Sequence, residues 1–226
     1  MLHAEDFFDL EAFAHREIFE HLEYVWDALK RLPAYLESTI RPDIQGTVMA
    51  GAWLIGEDIQ IGKGSVIEPG AYIAGPTIIG ESTVVRSGAY IRGNVIVGDN
   101  CVVGHTSELK VAILLNKSGA PHFNYVGDSI LGNSVNLGAG TKLSNVRILK
   151  GNVKVRVGNQ VYDSGLRKFG AILGDHAGTG CNAILNPGTL IGCRSQVYPN
   201  ATVSGYVPSD SIVKLRQTLE IVERKR

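Results

Sequence analysis

The sequence predicts an all-β protein made of short strands joined by tight turns, with a helix at each end. Two observations lead to this prediction: an apolar residue recurs at every sixth position, and the 226 residues include 27 glycines. A helix would repeat every 3.6 residues and a half-buried strand every second residue, so a period of six fits neither element alone. Glycines spread along the chain indicate regularly placed turns.

The six-residue repeat starts at Met49 and continues through ten apolar positions, nine of them β-branched. These positions are Met49, Ile55, Ile61, Ile67, Ile73, Ile79, Val85, Ile91, Val97 and Val103. The repeat resumes at Leu131 and again at Leu173. Four places further on, a second column holds mostly small residues, such as Ala71 and Ala89. We expect each repeat to bury one aliphatic and one small side chain.

This period resembles the hexapeptide repeat of left-handed parallel β-helices, in which three repeats form one triangular coil. The resemblance places such a β-helix at residues 46–207. Each coil contacts only its neighbours, so both ends need a cover. We expect the flanking segments, residues 1–45 and 208–226, to cap these ends or to pack between subunits.

Both flanking segments are predicted to be helical. Apolar residues between Phe7 and Leu32 alternate with charges, which is typical of an amphipathic helix, and Pro33 and Pro42 would end it. At the other end, residues 209–224 have an apolar-charged pattern, with Ser209 as the N-cap of a C-terminal helix.

The composition argues against several classes of function. Lys and Arg total 22 and Asp and Glu total 22, so the net charge of zero gives no reason to expect a nucleic acid or membrane partner. Cys101, Cys181 and Cys193 have no metal-binding or disulfide-framework spacing. Acids in the first residues argue against a signal peptide, and no apolar run reaches the roughly 20 residues of a membrane helix. We therefore expect a cytoplasmic protein.

The repeat is interrupted at residues 105–125 and 144–170, which we interpret as loops that carry a site. The second interruption is basic, with one acid, Asp163, against six cations: Arg147, Lys150, Lys154, Arg156, Arg167 and Lys168. Such a cluster fits a phosphate-bearing ligand, although a solvated charged loop is the alternative.

Two stretches, PHFNYVGDSILGNSVNLGAGT and DSGLRKFGAILGDHAGTGCNAILNPGTLIG, resemble the acetyltransferase half of bifunctional sugar-1-phosphate nucleotidylyltransferase/acetyltransferases, especially the archaeal type. The resemblance runs from about residue 85 to residue 216. It implies direct transfer of an acetyl group from acetyl-CoA to the amine of an amino-sugar-1-phosphate such as glucosamine-1-phosphate, with no metal required. It also implies a homotrimer with active sites between chains. Residues 1–45 are too short for the family's nucleotidylyltransferase domain, so we expect no nucleotide-sugar synthesis.

The same resemblance assigns roles to individual residues. His122 would be the general base, a task that suits imidazole near neutral pH. Arg92 and Lys110 would hold the phosphate, and Tyr125 and Asn136 the sugar. Two further substrate-binding residues are implied by the family pattern: Lys168, and Glu108, which would orient His122 or the amine.

On the co-substrate side, Ala139, Asn145 and Arg216 agree with the family's acyl-CoA positions. Cys181 and Pro199 occupy two more of these positions, where the bacterial enzymes have Ser and Ala. Asn145, or a neighbouring backbone N–H, would stabilise the oxyanion. The two departures leave the CoA contacts and the acyl group open.

Two other functions remain possible from the sequence. The chain could be a non-catalytic sugar-phosphate-binding partner of a nucleotidylyltransferase. It could also be a γ-carbonic-anhydrase-like zinc enzyme, which would need His105, His122 and His176 as ligands. The identity of the sugar is open as well, because galactosamine-1-phosphate or a nucleotide-linked amino sugar would fit the same residues.

Overall fold

The computed structural model describes residues 2–224 and confirms the predicted fold class, a left-handed parallel β-helix. Its strands are β1 (Asp43–Ile44), β2 (Thr47–Val48), β3 (Trp53–Ile55), β4 (Ile59–Ile61), β5 (Val66–Ile67), β6 (Tyr72–Ala74), β7 (Thr77–Ile79), β8 (Val84–Val85), β9 (Tyr90–Ile91), β10 (Val95–Val97), β11 (Val102–His105), β12 (Glu108–Leu114), β13 (Gly119–His122), β14 (Tyr125–Leu131), β15 (Asn136–Leu137), β16 (Lys142–Leu143), β17 (Lys154–Val157), β18 (Gln160–Asp163), β19 (Ala171–Leu173), β20 (Gly178–Thr179), β21 (Ile184–Leu185), β22 (Thr189–Ile191), β23 (Gln196–Val197), β24 (Thr202–Val203), β25 (Tyr206–Val207) and β26 (Ile212–Val213).

Parallel pairing between successive coils stacks these strands into three faces. Face 1 contains β3, β6, β9, the first halves of β12 and β14, then β16, β21 and β24. Face 2 contains β1, β4, β7, β10, the second halves of β12 and β14, then β19, β22 and β25. Face 3 contains β2, β5, β8, β11, β13, β15, β20, β23 and β26. The edge where face 3 turns into face 1 is called the 3–1 corner below.

The predicted apolar column forms the core. Ile61, Ile67 and Ile73 are fully buried, as is the small side chain of Ala71. Met49 starts the column but is 43% exposed, because no earlier coil covers the first one. Stacked aliphatic residues therefore hold the coils together, as the period predicts.

The predicted loop at residues 105–125 is wrong, because β12 and β13 continue the coil through it. Leu109 pairs with Ile91, whereas Ala112 pairs with Val95, so one residue has been lost between these pairs. A one-residue deletion shifts the six-residue phase without creating a loop.

The lost residue shortens the corner between faces 1 and 2. The earlier coil turns this corner with Gly93 and Asn94, whereas β12 turns it at Val111 and β14 at Asp128. All four residues have positive φ, from 48° to 86°. Two consecutive coils are therefore one residue shorter than those before them.

The second predicted interruption, residues 144–170, is an insertion. It contains the antiparallel hairpin of β17 and β18. Val153 and Val155 are fully buried, and the ring centroid of Phe169 lies 6.1 Å from that of Trp26. The hairpin is thus packed against the N-terminal segment.

The N-terminal segment is helical only in part. The α-helix α1 runs from Asp27 to Thr39, and one-turn 3₁₀ helices cover Ala4–Asp6 and Arg16–Phe19. The predicted continuous helix is wrong because residues before α1 hydrogen-bond to the β-helix instead. The Asp9 N–H donates to the Asp175 carboxylate at 2.8 Å, for example. Within α1 lies Pro33, which was expected to end the helix.

This segment covers a side of the β-helix and leaves its first coil open, which corrects the predicted end-capping role. Trp53 in that coil is 61% exposed. The apolar side chains of the segment pack against a row of outward-facing residues on face 2: Ile78, Ile96, Ile113, Ile130, Ile172 and Leu190. No helix among residues 2–224 is long and apolar enough to cross a membrane.

The predicted C-terminal helix is also wrong. The apolar column continues through Val207 and Val213, so the repeat, and not a helical pattern, determines the structure up to β26. Residues 214–224 have no regular secondary structure, and a short isolated segment is not expected to be a stable helix in water. Residues 1, 225 and 226 of the predicted terminal helices lie outside the described residues.

Candidate active site

The predicted base and three predicted co-substrate residues lie in one line along the 3–1 corner. The backbone carbonyl oxygens of His122, Ala139 and Cys181 each accept a hydrogen bond from the next coil at 2.8–2.9 Å. This ladder places Ala139, Cys181 and Pro199 one, two and three coils beyond His122. Because neighbouring strands lie about 4.8 Å apart, the line is about 14 Å long.

The side chain of His122 is exposed at this corner. Its backbone N–H donates to Asn124 Oδ1 at 3.0 Å, and its ring centroid lies 6.0 Å from that of Phe123. Within residues 2–224 its imidazole has no hydrogen-bond partner, and the predicted orienting residue Glu108 accepts from Arg92 instead, at 2.7 Å. The imidazole is thus accessible to a substrate, but this chain does not fix its orientation.

The predicted phosphate and sugar residues Arg92, Lys110 and Tyr125 lie on or beside face 1. Tyr125 follows the 3–1 corner, whereas Arg92 and Lys110 precede the corner between faces 1 and 2. Arg92 follows the inward-facing Ile91 and is exposed. The side chains of Arg92 and Glu108 are 44% and 31% exposed, and their hydrogen bond raises the pKa of Arg92. A guanidinium has five N–H donors, so Arg92 keeps donors for an anion.

Lys110 is held by an acid to which the sequence motif assigned no role. Its Nζ lies 2.9 Å from Oδ2 of Asp128, and the two side chains are only 15% and 10% exposed. The same oxygen accepts a short hydrogen bond from Nδ2 of Asn145. Gly127 makes room for this cluster, because a Cβ there would lie 2.7 Å from Tyr125 Oη and 2.8 Å from Asn145 Nδ2.

Asp128 is the functional candidate that the sequence reasoning missed. It ends the His-x-x-Tyr-x-Gly-Asp motif and lies between the buried Val126 and Ile130. An acid in an apolar strand was the available signal, because buried carboxylates are rare unless paired. Its partner could not be identified without the register that brings β12 beside β14.

Asn145 is brought close to the substrate residues, but part of its donor capacity is used. Its side chain is buried, and one amide hydrogen is donated to Asp128. The backbone carbonyl oxygen of Asn145 accepts a hydrogen bond from the Phe169 N–H at 2.9 Å, which returns the inserted segment to face 1. Lys168, the residue before, is therefore next to this cluster along the chain and is exposed.

The remaining cations of the insertion are less available than its composition suggests. Lys154 pairs with Asp163 across the hairpin, and this hydrogen bond lowers the pKa of Asp163 to about 2. Arg147 donates to the carbonyl oxygen of Asn152 at 2.7 Å. At least two of the six cations thus stabilise the insertion itself.

Two predicted site residues lie neither on face 1 nor on the 3–1 corner. Asn136 starts β15 on face 3, so the 3–1 corner separates it from Tyr125. Arg216 is exposed in the segment 214–224, which has no regular structure. A single chain therefore does not assemble the whole predicted set.

Backbone strain is found beside two of the predicted residues. Val111 follows Lys110 with a φ of 48°, and Phe123 follows His122 with a φ of 40°. Bulky and β-branched residues rarely adopt positive φ, and the strain is worth about 1–2 kcal/mol per residue. At the corner position of Phe123, the next coil has Gly140, which tolerates this conformation. Such outliers tend to cluster at functional sites.

The three histidines of the zinc alternative do not meet. His105 and His122 lie on the 3–1 corner in adjacent coils, whereas His176 turns the corner between faces 2 and 3. Among residues 2–224 no three His, Cys, Asp or Glu side chains form a group that could hold a metal ion.

Comparison with known proteins confirms the resemblance expected from the motifs. The family model described as the GMPPB C-terminal domain matches residues 73–165. A bifunctional sugar-1-phosphate nucleotidylyltransferase/acetyltransferase of Sulfurisphaera tokodaii is 41% identical over 102 residues, which are 45% of this chain and 25% of that protein. The bifunctional protein GlmU of Methanococcus aeolicus is 36% identical over 124 residues, or 55% of this chain and 30% of that protein.

The chain thus spans about a quarter to a third of the length of these curated relatives. Among solved structures, the UDP-N-acetylglucosamine acyltransferase from Campylobacter jejuni matches with a TM-score of 0.50 at 16% identity. That match covers 72% of this chain and 69% of the other. At this identity the likeness concerns the fold alone, and it agrees with the β-helix.

Proposed function

We propose that this chain transfers an acetyl group from acetyl-CoA to the amine of an amino-sugar phosphate. One observation carries the proposal: His122 begins the line of Ala139, Cys181 and Pro199 along the 3–1 corner, and the cations Arg92 and Lys110 lie at the other edge of the adjoining face 1. The extended arm of acetyl-CoA can follow this line, while Arg92 and Lys110 hold the phosphate of the sugar on face 1. The homology to acetyltransferase-containing enzymes supports the same assignment.

The reaction is a direct transfer with both substrates bound. His122 accepts a proton from the amine as its nitrogen attacks the thioester carbonyl carbon. The C–N bond forms, the C–S bond breaks, and the departing thiolate takes the proton from His122. The second amide hydrogen of Asn145, or a backbone N–H near it, stabilises the oxyanion. No step requires a metal.

The active assembly is proposed to be a homotrimer. Asn136 lies across the corner from Tyr125, and within residues 2–224 no ion pair or hydrogen bond of its side chain holds Arg216. Neighbouring copies that meet along the 3–1 corner would bring Asn136 and Arg216 to a site completed by another chain. The acceptor is proposed to be glucosamine-1-phosphate, with galactosamine-1-phosphate and nucleotide-linked amino sugars as the alternatives.

The test is release of free CoA from acetyl-CoA with each of these amino sugars. We expect turnover with the wild-type protein and a loss of about 100-fold or more in His122→Ala, because general base catalysis typically contributes 10²–10⁴-fold. His176→Asn is the matched control, since it removes a histidine from another corner, and Asn tolerates the positive φ found there. It should retain wild-type activity.

Equal rates in wild type and His122→Ala would refute the assignment of the base. No turnover on any of these acceptors, together with binding of the sugar phosphate, would favour the non-catalytic partner instead.

A further inference from the structure

His105 lies directly before His122 on the 3–1 corner and in register with it. Both side chains are exposed, and the residues after them, Thr106 and Phe123, have similar positive φ values of 50° and 40°. Successive coils are about 4.8 Å apart, and residues in register point the same way. The corner thus presents two imidazoles side by side.

The ring of His105 is held in place, whereas that of His122 is not. Its Nδ1 lies 3.1 Å from the carbonyl oxygen of Ser87. A carbonyl oxygen can only accept a hydrogen bond, so Nδ1 carries the hydrogen and the neutral ring has its free lone pair on Nε2. The ring of Phe123 packs edge-on against it, with centroids 6.2 Å apart. His105 is therefore an oriented base.

The charged neighbours of His105 leave this base free. His122 follows it in the next coil, Arg86 precedes Ser87 in the previous coil, and Glu108 starts β12 after the turn. Glu108 is bonded to Arg92, and within residues 2–224 no carboxylate bonds to the ring of His105. Within these residues no ion pair therefore occupies the ring of His105.

We propose that His105 is a second proton acceptor for the acceptor amine, an inference that rests on the proposed acyl transfer. An aliphatic amine is largely protonated near neutral pH, and an ammonium nitrogen has no lone pair with which to attack. Nε2 of His105 takes one proton from the ammonium, which leaves a free amine and an imidazolium that returns the proton to water. His122 then takes the second proton as the C–N bond forms, and passes it to the departing thiolate.

The variant His105→Asn tests whether His105 takes the first proton and His122 the second. The Asn amide can still donate to the Ser87 carbonyl, but it has no basic nitrogen. We expect kcat/KM for the amino sugar to fall about tenfold at about pH 6.5, where the substrate is an ammonium ion, and to return to within about twofold of wild type at about pH 9. His122→Ala should stay impaired at both pH values, and His176→Asn should match wild type throughout.

The possible failures are distinguishable. An inactive wild type refutes the proposed function. An active wild type with an unimpaired His105→Asn variant refutes the inference alone, and so does a loss that is the same at both pH values, which indicates a structural role. Nitrogen-15 NMR of histidine-labelled wild-type protein adds a readout independent of turnover, with His105 assigned by its disappearance in His105→Asn. We expect the hydrogen on Nδ1; a hydrogen on Nε2 would overturn the proposal.

Discussion

Replacing Asp128 should test how the candidate site is held together. In Asp128→Ala, Lys110 keeps its charge in a place where its side chain is only 15% exposed, and Asn145 loses the acceptor of its amide hydrogen. Removing one partner of a largely buried ion pair typically costs about 3–5 kcal/mol. Asp128→Asn keeps an oxygen that can accept both hydrogen bonds and loses only the charge, so we expect about 1.5 kcal/mol.

Urea unfolding at a fixed protomer concentration measures both effects, with the m value as a check that the same transition is followed. Lys110→Met serves as the partner variant, because removing both charges should be less harmful than removing one. The double variant Lys110→Met/Asp128→Ala should therefore be more stable than Asp128→Ala. The reasoning is refuted if Asp128→Ala unfolds within about 0.5 kcal/mol of wild type. If the changes in the free energy of unfolding caused by Lys110→Met and Asp128→Ala simply add in the double variant, the energetic coupling between the two side chains is contradicted.

Two further predictions concern strain and charge. Phe123→Asn should raise the free energy of unfolding by about 1 kcal/mol, because Asn tolerates the φ of 40°. The same substitution should lower kcat, because it removes the ring beside His122. A variant that is less stable than wild type would contradict the strain argument. Lys154 lowers the pKa of Asp163 to about 2, so the contribution of this pair is complete above the usual carboxylate range and is lost as the pH falls towards 2. The protection factors of the hairpin amides against hydrogen exchange, which are corrected for the intrinsic pH dependence of exchange, should therefore fall between about pH 5 and about pH 2 in wild type but not in Asp163→Asn.

The β-helix could be predicted because its core is set by a one-dimensional repeat. Ile61, Ile67 and Ile73 belong to one apolar column, and each later coil repeats the same packing of an aliphatic side chain in the core. The shortened corners at Val111 and Asp128 could not be distinguished from a loop, because a lost residue and an inserted segment both break the phase. Only the pairing of Leu109 and Ala112 with their partners separates the two cases.

The N-terminal segment differs from the predicted helix because its structure depends on the surface that it covers. In successive coils the residue before the inward one is Ile78, Ile96, Ile113 or Ile130, which places a row of isoleucines on the outside of face 2. Such a row requires a cover, and that signal was present in the sequence. An alternation of apolar and charged residues predicts a helix only if one face of that helix is buried. In this segment, backbone groups form hydrogen bonds to the β-helix instead of the hydrogen bonds of a helix.

The site was predicted as far as its motif extends. His122, Tyr125 and Lys110 could be named because the resemblance carried by this motif implies their roles. The pairing of Lys110 with Asp128 and of Arg92 with Glu108 depends on which strands are neighbours. The carbonyl that orients His105 belongs to a residue in the previous coil, so no local pattern contains it.

The covering of face 2 decides how copies of this chain can meet. The β-helix is a three-sided prism, and the N-terminal segment together with the hairpin occupies most of one side, from the coil of Ile78 onwards. Lateral contacts between prisms are thus limited to the other two sides, which share the edge that carries His105 and His122. In the proposed trimer, a segment far from the candidate site in sequence would in this way direct each copy to present its two histidines towards a neighbour.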